Sequence, residues 1–367
     1  MLLADFLPSG GGTLTYFFQL TEYIKQQKRY KLLILLKKNQ ITPSVTAFLD
    51  QSNVEYKLLN LPRIKASRIL GARLKYYIEQ IVVFGFWLGL YQKFKPDIII
   101  HSTGGEIHFP IMLLPVKFIA IQHSLQLKPL GRVYRLMLSK CLNEKKQILS
   151  VSDFANKQLI RSYGIPSNKQ RFCKYIYNCY ISKNHPQTRP DITKICILTL
   201  GHVTHYKNPE LWLRIAKEIT RNYDNVSFTW AGNGDELNFY QKQTQNYRQI
   251  NFVGFKDDVD FLYSKCDIYF QPSILESHGI AVIGAMAYSK PCVVTQVGGL
   301  VESVLHNKTG YIFPNNDFVT AKEYLVRLIN EPKLRKAYGE EGLRRFESHF
   351  THKIWQERMD DLFNQII

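Results

Sequence analysis

Short apolar runs alternate with longer helical patterns along the chain, and the alternation begins again after residue 191. Continuous runs rich in Ile, Leu and Val predict buried strands. The predicted strands are 2–7, 31–38, 96–103, 116–124 and 147–153, and then 194–202, 225–232, 250–255, 267–273 and 291–297. Helical stretches such as 67–94 lie between them. Strands that alternate with helices indicate parallel sheets with crossover helices, which is an α/β fold.

The two sets of strands predict two doubly wound, Rossmann-like domains. The polar, proline-containing segment 182–191 marks the boundary between them. It gives an N-terminal domain over 1–185 and a C-terminal domain over 186–367, whose last helix is free to pack back on the first. Two such sheets that face each other leave a cleft at the carboxyl ends of their strands, where ligands bind. We therefore expect the chemistry on loops that follow strands.

Composition is typical of a globular chain, with 45% hydrophobic and 21% charged residues in 367. Six cysteines form no CxxC pair, so we expect reduced thiols in a cytoplasmic protein rather than a zinc or redox site. The start of the chain has no basic segment before its apolar residues, which predicts no secretion signal. The longest apolar run, 81–91, falls short of the roughly 20 residues that span a bilayer.

Positive charge is concentrated in the first half of the chain. Residues 1–190 contain 28 Lys and Arg against 9 Asp and Glu, whereas residues 191–367 contain 20 and 21. The first half is therefore suited to an acidic partner, such as anionic lipid, nucleic acid or a phosphorylated substrate, unless the charge is simply a solvated surface. No nucleic-acid-binding motif accompanies it, so we expect no nucleic acid.

Membrane docking is one use of this charge. The cations Lys65, Arg68, Arg73 and Lys75 precede the apolar run 81–91, and together they would suit the inner face of a plasma membrane. The alternative, that 81–91 is a core helix, is favoured for the run itself.

Two loops of the first domain carry candidate ligand contacts. Gly10, Gly11 and Gly12 follow the first strand and precede a helix, an arrangement that allows a backbone to approach an anion closely. Their spacing fits neither a GxGxxG nor a Walker loop, and a plain tight turn is the alternative. His123 comes directly after a buried strand, where it is either a ligand contact or a structural histidine.

Two loops of the second domain add charged groups. His202 and Lys207 follow the strand 194–202, at a position that suits a phosphate leaving group. Asp258 and Asp260 form a DxD pattern that holds a metal in some sugar transferases. Because this pattern precedes a predicted helix, N-capping is the favoured interpretation.

The stretch ESHGIAVIGAMAYSKP (276–291) is the strongest candidate site. Glu276 and a glycine turn follow the strand 267–273, and a helix of small residues comes next. The amides of such a turn suit a phosphate, and the carboxylate suits sugar hydroxyls.

The segment 272–291 resembles the signature of retaining glycosyltransferases of family 4, which have the GT-B fold and belong to the glycosyl transferases group 1. LGHVTHYKN, TWAGNGDE, INFVGF and VGGLVESVLHNKTGYIFPNND resemble further parts of that family, in order along the second domain. The resemblance is loose in the first domain.

The resemblance implies a nucleotide-sugar donor site in the second domain and no need for a metal. It assigns the sugar hydroxyls to Glu276 and the leaving diphosphate to Lys207. The remaining contacts that it implies are the amides of His278, Gly279 and Ile280 to the sugar and diphosphate, Val253 near the nucleobase, Gly10, Gly11 and Gly12 over the diphosphate, and His123 to the transferring sugar.

Two positions depart from the family pattern. His202 stands where the family has an arginine, and Gly284 stands where the family has a second glutamate, eight positions after the first. The lost carboxylate accepts hydrogen bonds from the ribose in the family, so its absence would cost about 1.5–3 kcal/mol of donor binding.

These features predict a retaining, hexosyltransferase-like enzyme that moves sugar from a nucleotide diphosphate to a saccharide or lipid-linked acceptor. Surface polysaccharide or lipopolysaccharide assembly is the expected setting, in the cytoplasm or at the inner membrane face. The alternatives are a weakly active GT-B homologue that serves as a sugar-binding or partner subunit, and a different GT-B enzyme such as an epimerase-like hydrolase or a phosphorylase.

Overall fold

A computed structural model of the chain describes residues 2–6, 11–38, 41–59, 72–103, 109–127, 131–182 and 194–366. The chain divides into two compact units. The first comprises Met1–Ile176 together with Arg358–Ile367, and the second comprises Tyr177–Glu357. The predicted boundary at 185/186 lies in a stretch outside the described residues, so it stays a prediction.

The first unit contains one parallel sheet, which has seven strands in the described part of the chain. The strands are β1 (Leu2–Phe6), β2 (Leu32–Lys37), β3 (Glu55–Leu59), β4 (Ile98–Thr103), β5 (Lys117–Gln122), β6 (Lys146–Ser150) and β7 (Cys173–Tyr175). The helices are α1 (Gly11–Gln26), α2 (Pro43–Ser52), α3 (Ala72–Phe94), α4 (Arg132–Cys141) and α5 (Asp153–Tyr163), with 3₁₀ turns at Phe109–Leu113 and Ser167–Phe172.

The second unit contains a parallel sheet of six strands, counted over its described residues. The strands are β8 (Ile195–Leu200), β9 (Val226–Ala231), β10 (Ile250–Phe252), β11 (Ile268–Gln271), β12 (Cys292–Thr295) and β13 (Gly310–Phe313). The helices are α6 (Pro209–Thr220), α7 (Leu237–Thr244), α8 (Val259–Lys265), α9 (Ile280–Ala287), α10 (Leu300–Ser303), α11 (Phe318–Asn330) and α12 (Pro332–His349), with a 3₁₀ turn at His205–Lys207. The final helix, α13 (His352–Ile366), begins in the second unit and ends in the first.

Both sheets have the same doubly wound strand order. The order is β3-β2-β1-β4-β5-β6-β7 in the first unit and β10-β9-β8-β11-β12-β13 in the second. The direction of winding therefore reverses between β1 and β4, and again between β8 and β11. Ligands of open α/β sheets bind at such reversals, outside the carboxyl ends of the strands. The loops after β8 and β11 are thus the first place to look for a site in the second unit.

Aromatic packing fixes the frame around that reversal. The Trp212 ring of α6 lies 5.4 Å from that of Trp230 and 4.9 Å from that of Phe252, and all three are buried. Helix α6 begins where it does because the Asn208 side chain accepts the Leu211 N–H and Pro209 occupies the first turn. The loop that precedes α6 is therefore anchored on the core at its carboxyl end.

The ten predicted strands are all present, and the α/β doubly wound class is confirmed. Three further strands, β3, β7 and β13, were not predicted. Strand β3 is half exposed, and β7 and β13 are short edge strands. None of the three therefore has the long apolar run that identifies a central strand in a sequence. Helix α3 occupies the described part of the predicted helix 67–94, and no helix among the described residues is long and apolar enough to cross a membrane.

Candidate active site

The loops after β8 and β11 are joined at the reversal of the second sheet. The carbonyl of Tyr206 accepts the N–H of Ile274 at 2.8 Å and that of Leu275 at 3.3 Å. These main-chain bonds hold the His205–Lys207 turn against the segment that leads into Glu276. Two candidates that are 69 positions apart in the sequence, Lys207 and Glu276, are thereby brought together.

Lys207 and Glu276 form a direct ion pair. The Lys207 ammonium donates to Glu276 Oε2, and both side chains are largely buried, at 15% and 13% exposure. Salt screens a pair in such a position less than one on the open surface. Oε1 of Glu276 receives no hydrogen bond from the described residues, so it is available to a ligand hydroxyl.

Glycines close the far side of this loop. A Cβ on Gly298, whose φ is +55°, would lie 1.6 Å from the Glu276 carbonyl oxygen, and the Gly299 N–H donates to that oxygen at 3.2 Å.

Gly279 has φ +92° and precedes α9 without a side-chain cap. The first N–H groups of a helix have no intrahelical acceptor. The amides at Gly279 and Ile280 can therefore meet an anion.

The His278 side chain is packed in the core and does not face a ligand. Its ring is fully buried, lies 5.1 Å from the Tyr177 ring in a stacked arrangement, and lies 5.6 Å from Phe350. Neither ring nitrogen has a hydrogen-bond partner among the residues that the structure describes. Burial lowers the pKa of His278 to about 3. The imidazole is thus a neutral core group, and only the main chain of His278 is available to a donor.

His202 and Val253 lie on the loops beside the pair. His202 is half buried and follows Gly201, where an added Cβ would lie 3.7 Å from Lys207 Cε. Val253 is half buried, and its N–H donates to the Trp230 carbonyl at 2.9 Å at the end of β10. Both stand at the carboxyl edge of the sheet, and their roles toward a ligand stay predictions.

Gly284 is buried inside α9 and faces α8. A Cβ at this position would lie 2.6 Å from the Tyr263 hydroxyl and 2.8 Å from the adjoining ring carbon. The Tyr263 hydroxyl itself donates to the Ala281 carbonyl at 2.7 Å, which fixes the ring there. The glycine therefore has a packing reason that the sequence did not show, since any side chain would displace Tyr263.

The candidates of the first unit lie around β1, β4 and β5. His123 is buried, and its Nε2 lies 2.7 Å from the Ser102 hydroxyl while its ring meets the edge of Tyr16 at 4.7 Å. Burial lowers the pKa of His123 to about 4, so it is a neutral, polar group at neutral pH. Gly11 and Gly12 form the exposed start of α1, and Gly10 lies outside the described residues.

The DxD carboxylates have structural partners. Asp258 caps α8 by accepting the Phe261 N–H at 3.1 Å. Asp260 is buried and accepts the hydroxyls of Tyr180 at 2.9 Å and Tyr288 at 2.7 Å. The described part of the chain contains no cluster of three His, Cys, Asp or Glu side chains suited to a metal.

One polar residue at the site was missed by the sequence reasoning. Gln271, the last residue of β11, is buried and donates from Nε2 to Glu276 Oε2 at 2.8 Å. The available signal was a lone amide at the end of an otherwise apolar strand, DIYFQPS, five positions before the carboxylate that it contacts.

Part of the second unit matches a known protein family in sequence. Residues 181–345 match the family described as "Glycosyl transferases group 1". The chain is 29% identical over 124 residues to the capsular polysaccharide biosynthesis glycosyltransferase CapM of Staphylococcus aureus, a match that covers 34% of this chain and 32% of that protein. The matches to this and two further curated glycosyltransferases span between about a third and just over a half of their length.

Solved structures extend the likeness to both units. A glycosyltransferase from Rickettsia africae ESF-5 superposes with a TM-score of 0.81 at 16% identity, covering 100% of this chain and 98% of that one. Anabaena Alr3699/HepE, solved in complex with UDP-glucose, superposes with a TM-score of 0.72 at 14% identity, covering 99% and 98%. These likenesses confirm the predicted GT-B fold. The matched segment, 181–345, contains Lys207, Gln271 and Glu276.

Proposed function

We propose that the chain is a glycosyltransferase that moves a hexose-type sugar from a nucleoside diphosphate sugar to a saccharide or lipid-linked acceptor. The observation that carries the proposal is the Lys207–Glu276 pair at the reversal of the second sheet. A cation for a diphosphate and a carboxylate for sugar hydroxyls stand side by side there, next to the free amides of α9.

Each group has a part in the transfer. The amides at Gly279 and Ile280 and the Lys207 ammonium would hold the diphosphate, and Oε1 of Glu276 would accept a hydrogen bond from a sugar hydroxyl. The bond between the anomeric carbon and the diphosphate oxygen breaks with its electron pair on the diphosphate. Lys207 stabilises that developing charge, as fixed cations do in water-poor sites.

Retention of the anomeric configuration is part of the proposal. The acceptor oxygen would attack from the face that the diphosphate leaves, and its proton would pass to a diphosphate oxygen. No bound metal is required if Lys207 and the helix amides supply the positive charge. A product whose anomeric configuration is inverted, or activity that is lost on chelation and restored by Mg²⁺ or Mn²⁺, would contradict these two points.

The relatives support the choice of substrate class. HepE was solved with UDP-glucose, and CapM is named for capsular polysaccharide biosynthesis. We take UDP-sugars as the first donors to test and a cell-surface polysaccharide as the setting, with lipopolysaccharide as the related case.

A membrane surface is the proposed location of the acceptor. Helices α3 and α4 both pack on the 3₁₀ turn Phe109–Leu113. Among the described side chains of these three elements, the exposed large apolar ones are Ile81, Val82, Leu113, Val133 and Leu136, and the exposed cations Arg132 and Lys140 accompany them on α4. Apolar groups beside cations suit an anionic bilayer surface.

The docking residues predicted from the sequence are only partly described. Lys65 and Arg68 lie outside the described residues, as do the side chains of Arg73 and Lys75. Trp87 of the run 81–91 is buried in the core, whereas Ile81 and Val82 are exposed. The run is therefore a core helix with one exposed edge, and docking through that edge stays a proposal.

The test is a product assay. Purified protein is incubated with radiolabelled UDP-glucose or GDP-mannose and an extract of lipid-linked saccharides, beside the Glu276→Gln variant. We expect a labelled glycolipid from one donor with the natural protein and at least a tenfold lower rate with the variant. Binding of the nucleotide sugar without any product would instead favour the second candidate, a sugar-binding partner subunit. His202 motivates that candidate, since a histidine replaces the fixed cation of the family.

A further inference from the structure

The Glu276 carboxylate is held by a buried network of hydrogen-bonded polar groups, which extends to the neighbouring strand β8. Gln271 Nε2 donates to Glu276 Oε2 at 2.8 Å and to the Ser273 hydroxyl at 3.2 Å. Gln271 Oε1 accepts the Tyr269 hydroxyl at 3.0 Å. Gln271, Ser273 and Tyr269 are each at most 2% exposed. Every hydrogen-bonding atom of this amide therefore has a partner.

This network of polar groups ends at Leu200, in the backbone before the Lys207 loop. The Tyr269 hydroxyl accepts the N–H of Leu200 at 3.3 Å, and Leu200 is the last residue of β8. Burial raises the pKa of Tyr269, so its hydroxyl keeps its single proton, which Gln271 Oε1 at 3.0 Å and the Leu200 carbonyl at 3.2 Å can each accept. The Glu276 carboxylate only accepts hydrogen bonds, so the amide nitrogen of Gln271 must face it, and the amide oxygen then faces the Tyr269 hydroxyl.

The arrangement has a chemical consequence at Glu276. Gln271 and Lys207 both donate to Oε2, which leaves Oε1 as the oxygen for a ligand. A neutral amide can fix the carboxylate without adding a charge to a buried place, where an unpaired ion is costly. A lysine or arginine at 271 would lack this property, and an apolar residue would leave Lys207 as the remaining hydrogen-bond donor to the carboxylate among the described residues.

We propose that Gln271, which packs against the Tyr269 hydroxyl, is the positioning residue of the donor site: it holds Glu276 so that one carboxylate oxygen faces Lys207 and the other faces the donor sugar. The inference rests on the proposed function in assigning the donor sugar to Oε1, but not in assigning Gln271 to the orientation of Glu276. Gln271 itself does not touch the substrate.

The first arm of the test measures binding with three variants. UDP, GDP, UDP-glucose and GDP-mannose are titrated into the natural protein, Gln271→Leu, Gln271→Glu and the control Gln249→Leu. Gln249 also donates two hydrogen bonds from its Nε2, to the carbonyls of Tyr223 and Val226, but it does not contact Glu276. Thermal unfolding of each variant verifies that it folds.

We expect Gln271→Leu to bind the nucleotide sugar about 10- to 100-fold more weakly, the range for a lost hydrogen bond to a charged group, while bare UDP or GDP changes less. Gln249→Leu should keep natural affinity for both. Equal affinity of Gln271→Leu and the natural protein for the nucleotide sugar would overturn the proposal.

Gln271→Glu gives a pH signature that a merely structural role would not produce. Two adjacent carboxylates cannot both ionise cheaply, so they share a proton at acidic pH. That proton restores a donor toward Glu276 Oε2, and it is lost as pH rises. We expect binding of the nucleotide sugar to fall between about pH 5 and pH 8 in this variant and to stay level in the natural protein. Parallel pH profiles would contradict the inference.

The second arm needs no nucleotide. Crystal structures of the unliganded natural protein and Gln271→Leu compare the Glu276 carboxylate directly. We expect it to turn away from its natural position in the variant, and an unchanged carboxylate would refute the positioning role. If the natural protein binds none of the four nucleotides, the proposed function fails, and the crystal structures still decide whether Gln271 orients Glu276.

Discussion

At the scale of single residues, the site is defined by which polar groups have partners and which do not. Oε2 of Glu276 is bonded to Lys207 and Gln271, whereas Oε1 is left for a ligand. His278 has the opposite character, since its ring is buried with no hydrogen-bond partner among the described residues and its pKa is depressed. Neighbouring positions of one loop thus differ, since Glu276 presents an open oxygen and His278 packs in the core.

The Lys207 ammonium should contribute strongly to the affinity for a nucleoside diphosphate. Lys207→Met removes the ammonium and keeps the apolar stem, so we expect nucleoside diphosphate affinity to fall about 10- to 100-fold. Calorimetric titration with UDP or GDP measures this. Lys242→Met, on the exposed face of α7, is the control and should bind as the natural protein does. Equal loss in both variants would mean that only net charge matters.

Acid should destabilise the chain through its buried histidines. The pKa of His278 is about 3 in the folded protein against an ordinary value of 6.5. Between these values the unfolded chain binds a proton that the folded chain excludes, so stability is complete above about pH 6.5 and falls as pH decreases. The loss due to His278 alone is roughly 2–3 kcal/mol at pH 4.5.

His278→Phe keeps the ring contacts with Tyr177 and Phe350 and removes the titrating group. We expect the variant to lose fewer degrees of thermal midpoint than the natural protein between pH 7 and pH 4.5, as followed by circular dichroism. An identical acid shift in the two proteins would show that His278 does not stay neutral in the fold.

At the scale of elements, close contacts between loops and helices determine where glycine is needed. Gly298 permits the turn after β12 to touch the Glu276 carbonyl, and Gly284 permits α9 to lie against the Tyr263 ring of α8. Neither demand can be read from local sequence, because the contacting groups belong to other elements. The close approach of α9 to α8 thus depends on the absence of a side chain at position 284.

Packing at Gly284 should make even a methyl group costly. We expect Gly284→Ala to destabilise the protein by about 1–3 kcal/mol through overpacking against Tyr263, and Tyr263→Leu to relieve part of that cost in the double variant. Urea unfolding of the four proteins in the cycle measures the coupling. Gly85→Ala, in a helix position with nothing within 4 Å, should be neutral or slightly stabilising. Strict additivity at 284 and 263 would refute the contact.

The sequence predicted the elements well and their contacts poorly. Central strands were recognisable because both of their faces are buried, and Lys207 and Glu276 were recognisable because each follows such a strand. Their direct pairing was not predictable, because the two residues are 69 positions apart and meet only where β8 and β11 are neighbours in the sheet. The inward turn of His278, the Tyr263 ring opposite Gly284 and the amide of Gln271 depend likewise on side-chain directions that a linear pattern does not contain.

At the scale of the whole molecule, the two units share an architecture but differ in charge. Both units use the same strand order. The excess of 19 positive charges over residues 1–190 contrasts with near neutrality in the rest of the chain. The first unit also carries the apolar and basic surface of α3, Phe109–Leu113 and α4. This distribution suits a protein whose first unit meets an anionic surface while its second holds a soluble donor.

Membrane binding through that surface should depend on both charge and apolar contact. We expect the protein to sediment with vesicles that contain phosphatidylglycerol but not with pure phosphatidylcholine, and to be released by 0.5 M salt as screening shortens the range of the charges. Replacing Val133 and Leu136 with serine should weaken binding at low salt, while Val319→Ser, also exposed but on α11, should not. Equal binding to neutral vesicles would contradict the charge-based account.

The central claim is that the Lys207–Glu276 pair is a nucleotide-sugar site, and calorimetric titration of UDP, GDP, UDP-glucose and GDP-mannose into the natural protein and Glu276→Gln tests it most directly. We predict that the natural protein binds one base, and binds its sugar conjugate more tightly than the bare diphosphate. Glu276→Gln should lose that extra affinity for the sugar while it keeps the diphosphate, and Glu210→Gln, exposed on α6, should change neither. No binding by the natural protein, or a sugar contribution that survives in Glu276→Gln, would contradict the claim.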